Sequence, residues 1–261
     1  MMTRALRLAL VGLFAPFLAG AAPAVMQHDA AVFPAAAFAN AVDALPTVAE
    51  PEDLPDWRVP ADARRARSVG RPNKGRLENG VPLPMNGLGY TRFDRDSHFG
   101  TDETIALIEY TAARVAHAFP GSAPMLVGAI SKEDGGAIPH HRSHRTGRDV
   151  DIAFFEKGNT PRPLFNNDLT AEGVDMVKSW YALEALILTG RVEYIFADRS
   201  LHAGLSAQAE ASGWGPDELD AFFLLEDESG YRGTIRHAGG HLDHFHVRFR
   251  CPEGDAACES Y

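Results

Sequence analysis

The chain is 261 residues long, 45% hydrophobic and 23% charged, the make-up of a globular protein with a sizeable core: one domain plus flanking segments. Its formal charge of −10 and isoelectric point of about 5.5 argue against a nucleic-acid partner, because phosphate binding needs clustered Lys and Arg.

In chain order, Arg4 and Arg7 precede an apolar run over residues 8–18, and the small residues Ala19, Gly20, Ala21, Ala22 and Ala24 follow. The run is too short and too quickly broken for a membrane span. It reads as a cleaved export signal over residues 1–24, leaving a periplasmic protein without stable membrane insertion; an uncleaved N-terminal anchor is the alternative. Residues 25–75 are rich in Ala, Pro and acidic side chains, with Pro51, Pro55 and Pro60 closely spaced and no sustained period, so they read as a disordered linker. The basic run Arg64, Arg65 and Arg67 within it reads as a solvated stretch, or as a weak contact with anionic wall polymer or lipid.

The folded domain is expected over residues 76–261. Gly80 to Pro84 and Asn86 to Gly89 carry turn chemistry. Thr101 caps a helix whose apolar positions Ile105, Ile108, Ala112, Val115 and Phe119 repeat at helical spacing, and Pro120-Gly121 stops it. Strands follow over 125–130 and 149–155, a helix over 171–188, a strand over 192–197, a helix over 200–211 and a last strand over 243–250. Helices and strands mix without regular alternation, which predicts an α+β fold. The two cysteines, Cys251 and Cys258, are an even count in an exported chain and read as a disulfide that pins the chain end.

Seven of the eleven histidines fall in two windows, His140, His141 and His144 in one and His237, His241, His244 and His246 in the other. In the last strand Phe245, Val247 and Phe249 alternate with His244, His246, Arg248 and Arg250, so the apolar set enters the core and the other set shares the opposite face. In the first window Gly147 permits a turn that lets Asp151 face His144. Zinc takes His nitrogen and carboxylate oxygen, so His144, Asp151 and His246 form a three-ligand set that leaves a fourth position open. His244 is then placed to take a proton from water or to stabilise a developing oxyanion. Asp149 shares the face of Asp151 and either supports the site or is a surface carboxylate. Arg248 either meets a substrate carboxylate or forms an ordinary ion pair.

The segment from Ser143 to Ile152, with His141 before it, resembles the signature of penicillin-insensitive murein endopeptidases, and so does the segment from His241 to Arg248 followed by Cys251, Pro252 and Cys258. The likeness extends from about Arg76 to Cys258. It implies the lysostaphin, D-Ala-D-Ala metallopeptidase and hedgehog-like zinc fold, a small antiparallel sheet flanked by helices. It also implies hydrolysis of the D-alanyl-meso-diaminopimelyl cross-link of peptidoglycan. By the same likeness the zinc ligands fall on His144, Asp151 and His246, and the catalytic histidines on His244, His241 and His141. Some relatives hold a second, peripheral zinc. Residues 156–188 contain no His to match it, so one catalytic zinc is expected. Two alternatives stand beside this reading: a D,D-carboxypeptidase or dipeptidase of the same fold, and a non-catalytic zinc-dependent wall-binding domain.

Overall fold

The computed structural model describes residues 54–224 and 233–260. The expected export signal and most of the expected linker lie outside them. In chain order these residues form β1 (Arg67–Val69), β2 (Arg76–Glu78), β3 (Val81–Pro82), β4 (Asn86–Gly87), β5 (Tyr90–Arg92), β6 (Phe99–Gly100), α1 (Asp102–Ala118), β7 (Met125–Val127), β8 (Asp149–Ala153), a 3₁₀ turn (Ala171–Gly173), α2 (Met176–Leu188), β9 (Val192–Ala197), α3 (Arg199–Ala211), α4 (Pro216–Phe223), β10 (Ile235–His237) and β11 (His244–Phe249).

Seven of these strands make one sheet in the order β10-β9-β11-β8-β7-β5-β4. The fold is α+β, as expected. The sheet is mixed rather than wholly antiparallel, because β10 runs parallel to β9 and β5 parallel to β7. Along its centre, β11 and β8 present alternate residues to opposite faces. Phe245, Val247, Val150 and Ile152 are fully buried and join one apolar cluster with the inward sides of α1, α2 and α3, including Leu107, Ile108, Leu183, Leu186 and Leu201. Among the described residues no helix is long and apolar enough to cross a membrane.

Local chemistry explains the helix ends. Thr101 Oγ1 accepts from the Thr104 N–H, and Asp102 and Glu103 complement the helix dipole in the first turn of α1. The helix expected over 171–188 divides in two: Ala171–Gly173 forms only a 3₁₀ turn, and Asp175 caps α2 by accepting from the Lys178 N–H at 3.1 Å. α4 was not anticipated. Pro216 opens it after Gly215, and it exists to seat Phe222 and Phe223 against Trp180 and Trp214.

The expected boundary at Arg76 falls inside a hairpin, since β1 pairs antiparallel with β2. Upstream residues are also tied down. The Arg65 and Ala66 N–H groups donate to Asp102 Oδ2 at 2.9 and 2.7 Å, Ser68 N–H donates to Asp255 at 2.8 Å, and Gly70 N–H donates to Ala257 O at 2.8 Å. The basic run is therefore part of the folded body: Arg64 donates to the carbonyls of Val59 and Glu253, and Arg67 pairs with Asp255 at 3.6 Å. The expected bridge is present between Cys251 and Cys258, with Cα atoms 5.7 Å apart. It closes the C-terminal loop on which β1 rests.

Arg148 fastens this clasp to the sheet. Its fully buried guanidinium donates to Ser68 Oγ at 3.1 Å, Phe249 O at 2.7 Å and Glu259 O at 2.9 Å, and lies 3.4 Å from Glu193. Removing it leaves buried carbonyls without donors. Arg148→Ala should therefore cost about 3–5 kcal/mol in urea unfolding. Arg71→Ala, which removes a pair with Glu259 that is exposed on both sides of the same clasp, should cost less than about 1 kcal/mol. Equal losses would refute the assignment of Arg148 as the fastening residue.

Candidate metal centre and active site

The register of β8 on β11 assembles the site: His246 stands opposite Asp151 and Arg248 opposite Asp149, while Val247 faces Val150 and Phe245 faces Ile152. The four polar side chains thus share the face away from the apolar cluster. β9 flanks them with Phe196 opposite His246 and Tyr194 opposite Arg248.

His144 arrives from the loop before β8. Its φ of 63° lies in the left-handed region, which an L residue with a side chain seldom occupies. Two bonds hold it there: its N–H donates to Asp149 Oδ2 at 3.0 Å, and its Nδ1–H to Ile130 O at 2.9 Å. Gly147, at φ 72°, makes the turn into β8; a Cβ there would press on Leu77 and on the Thr101 backbone.

These outward partners decide the tautomers. A carbonyl can only accept, so His144 carries its proton on Nδ1 and turns the Nε2 lone pair inward. His246 Nε2 lies 2.9 Å from Asp149 Oδ1, an ionised carboxylate, so it donates there and turns Nδ1 inward. His144 Nε2, His246 Nδ1 and Asp151 Oδ1 then converge as three acceptors: 3.0 Å between the nitrogens, 3.2 Å from His144 to Asp151 and 3.0 Å from His246 to Asp151. Three lone pairs that close repel unless a cation lies among them. Tetrahedral ligation with N and O bonds of about 2.0–2.1 Å places donor atoms roughly 3.3 Å apart, so the triangle has the size of a metal site. The residues fit a divalent metal in donor type, in spacing and in outward support.

Electrostatics agree. Burial opposes ionisation of Asp149, yet the Arg248 guanidinium at 2.7 Å and the His246 ring hold its carboxyl well below the usual carboxylate range. Burial likewise opposes ionisation of Asp151, and His144, His141 and His246 outweigh it. For His246 burial favours the neutral ring, but Asp149 and Asp151 push its pKa up to about 9. Two buried carboxylates make this centre demand positive charge, which a proton supplies where no metal is bound.

His141 sits at the rim. Its Nε2 lies 3.0 Å from Asp151 Oδ2 and its Nδ1 2.8 Å from Pro139 O. Facing two acceptors, with the Asp151 bond as the main cause, its pKa is raised. His141, His144 and Asp151 also form a group with donor atoms within 4.8 Å of one another. The triangle through His246 is tighter and fully buried, so it is the better-formed centre, and His141 serves Asp151 from outside.

On the open side of His246 lie His241 and His244, their rings 4.9 Å apart. His244 Nδ1 lies 2.6 Å from Asp243 Oδ1, which fixes the proton on Nδ1 and leaves Nε2 as an acceptor. Its ring stacks on Phe165 at 4.7 Å and 10°. Phe165 can lie there because Gly128 has no side chain; a Cβ would meet the ring at 2.6 Å. Burial, then the neighbouring His244 and His246, lower His241 to about 4, so it stays neutral, with Nδ1 turned to Gly239 O at 3.2 Å. Arg248 takes the ion-pair alternative. It is 1% exposed, donates to Asp149 and lies over the Tyr194 ring at 4.9 Å, so it faces the protein rather than a substrate.

A family model described as penicillin-insensitive murein endopeptidase matches residues 68–184. A protein of that name from Haemophilus influenzae is 26% identical over 226 residues, covering 78% of this chain and 72% of that protein. One from Klebsiella pneumoniae is 26% identical over 210 residues, covering 74% and 70%, and one from Escherichia coli is 25% identical with the same coverage. The chain is thus similar to penicillin-insensitive murein endopeptidases over about three quarters of its length. The match begins within β1, consistent with the early start of the folded body.

Sequence reasoning brought the triangle and the three outer histidines to one place. It missed Asp243, although adjacency to His244 was a signal, and Phe165, which no local pattern marks. It left Asp149 undecided; the structure makes it the carboxylate that orients His246. Asp149→Asn should therefore weaken binding of a divalent metal about 10–100-fold, read by competition with a chromogenic chelator. Unchanged affinity would mean that the orientation of His246 does not depend on that carboxylate.

Proposed function

We propose that this protein is a zinc-dependent endopeptidase that hydrolyses the D-alanyl-meso-diaminopimelyl cross-links of peptidoglycan. We further propose that its sheet and helices are the zinc peptidase fold of the hedgehog and D-Ala-D-Ala peptidase type. The observation that carries the reading is the convergence of the His144, Asp151 and His246 lone pairs, their outer atoms held by Ile130 O and Asp149. The names of the relatives supply the substrate class.

His144, Asp151 and His246 would hold the zinc. When bound, zinc supplies a Lewis acid that polarises a scissile carbonyl and acidifies water near neutral pH. The chain's own residues do the rest. Nε2 of His244, its ring fixed by Asp243 and Phe165, accepts a proton from the attacking water and returns it to the leaving amine. Neutral His241 beside it keeps an acceptor nitrogen on the same side, suited to orienting water or a substrate N–H. His141 holds Oδ2 of Asp151, so that Oδ1 is left for the metal. No step needs an activated serine, so a β-lactam has nothing to acylate, in keeping with the family's name. Action on the wall requires export, for which residues 1–24 carry the expected signal, and cleavage of that signal would leave a periplasmic enzyme.

Purified sacculi incubated with the metal-loaded protein should release monomers from cross-linked dimers, and a chelator should abolish this reversibly. Loss of the terminal D-Ala alone would favour the carboxypeptidase alternative, and binding without product the non-catalytic one. His244→Ala should keep bound zinc and lose about 10²–10⁴-fold in turnover. His246→Ala should lose the zinc itself, as measured by metal content. Zinc retained in His246→Ala would refute the ligand set.

A further inference from the structure

With Arg248 buried, the site as described above offers no exposed guanidinium to a substrate carboxylate. Next to it, β7 and β8 pair only at Val127 and Ile152. Beside that pair lies an open cleft whose lining includes Leu126, Ala153, Glu156, Arg162 and Asp243. The cleft adjoins the candidate site through Asp243, which lines it and holds the His244 ring. Its far wall is the loop over residues 160–166, the same loop that lays Phe165 on His244.

Two bonds tie that loop back to one atom. Arg162 donates to Glu156 Oε2 at 2.8 Å, and Asn166 Nδ2–H donates to the same oxygen at 3.0 Å. The Glu156 side chain is 14% exposed and the Arg162 side chain 46%. Glu156 therefore acts as a fixed anchor for a half-exposed guanidinium in the lining of the cleft. Guanidinium presents a planar fork of donors that matches a carboxylate in two bonds.

We propose that Arg162 is the substrate-carboxylate anchor of this enzyme: it binds a free carboxylate on the peptide segment that occupies the cleft beside the bond to be cut. This rests on the endopeptidase reading. Glu156 is its positioning residue.

The test uses the full metal-loaded chain and two substrates, cross-linked peptide dimers released from sacculi by a muramidase and the same dimers with their carboxyls amidated. For wild type, amidation should raise KM roughly 10-fold or more with little change in kcat. Arg162→Met should show that raised KM on the untreated dimers and no further rise on the amidated ones, and Arg162→Lys should recover part of the discrimination. Asn166→Ala loosens the loop but keeps the guanidinium, so it should preserve the ratio between the two substrates. Equal losses on both substrates in Arg162→Met, or collapse of the ratio in Asn166→Ala, would make Arg162 a mere prop of the loop and overturn the proposal. Wild-type protein that cleaves neither form would sink the endopeptidase reading, and this inference with it.

Discussion

The antiparallel register of β8 on β11 is the constraint on which the rest depends. It places His246 opposite Asp151 and Arg248 opposite Asp149 on one face, with Phe245 opposite Ile152 and Val247 opposite Val150 on the other. A slip of one residue would turn the charged set into the apolar cluster and expose the apolar set. The four apolar residues are fully buried, so such a slip would forfeit their burial and strand two carboxylates among hydrocarbons. The core side of these strands therefore fixes the geometry of the polar side. Packing that looks unrelated to chemistry sets distances of 3.0–3.2 Å among the inward donor atoms.

Asp149 transmits that order further. Its carboxylate accepts from the His144 N–H, the His246 ring and the Arg248 guanidinium, at 3.0, 2.9 and 2.7 Å. One anion thus offsets the unfavourable φ of His144, selects the tautomer of His246 and neutralises Arg248. A buried polar network of this kind is stable only when every member is satisfied. At its centre three acceptors converge, an arrangement that a cation would complete.

The residues of the candidate triangle were legible because both carriers are short and local. Alternation in residues 244–249 and the Gly147 turn are period-two and turn signals, readable within ten residues. The helix at Thr101 had equally local marks. What escaped reading depends on partners far along the chain. Residues 64–75 have linker composition, and they are ordered by Asp102 and by the loop around Cys258. Arg248 could not be assigned from its own strand, because its partner Asp149 lies 99 residues away. Phe165 reaches His244 across a loop with no periodic pattern. β10 and α4 are short elements whose apolar residues, Ile235, Phe222 and Phe223, find their places only in the assembled core.

Two buried arginines show how neighbours on one sheet do different work. Arg248 faces the carboxylate of Asp149, and although burial disfavours its charge, that partner raises its pKa. Arg148 precedes Asp149 in the chain and points the other way, into the clasp between the chain ends. It donates to a hydroxyl and two carbonyls and lies 3.4 Å from Glu193; burial outweighs that carboxylate, so its pKa falls. The alternation that separates core from site in β8, continued back to Arg148, thus also separates the clasp from the candidate site, one residue apart.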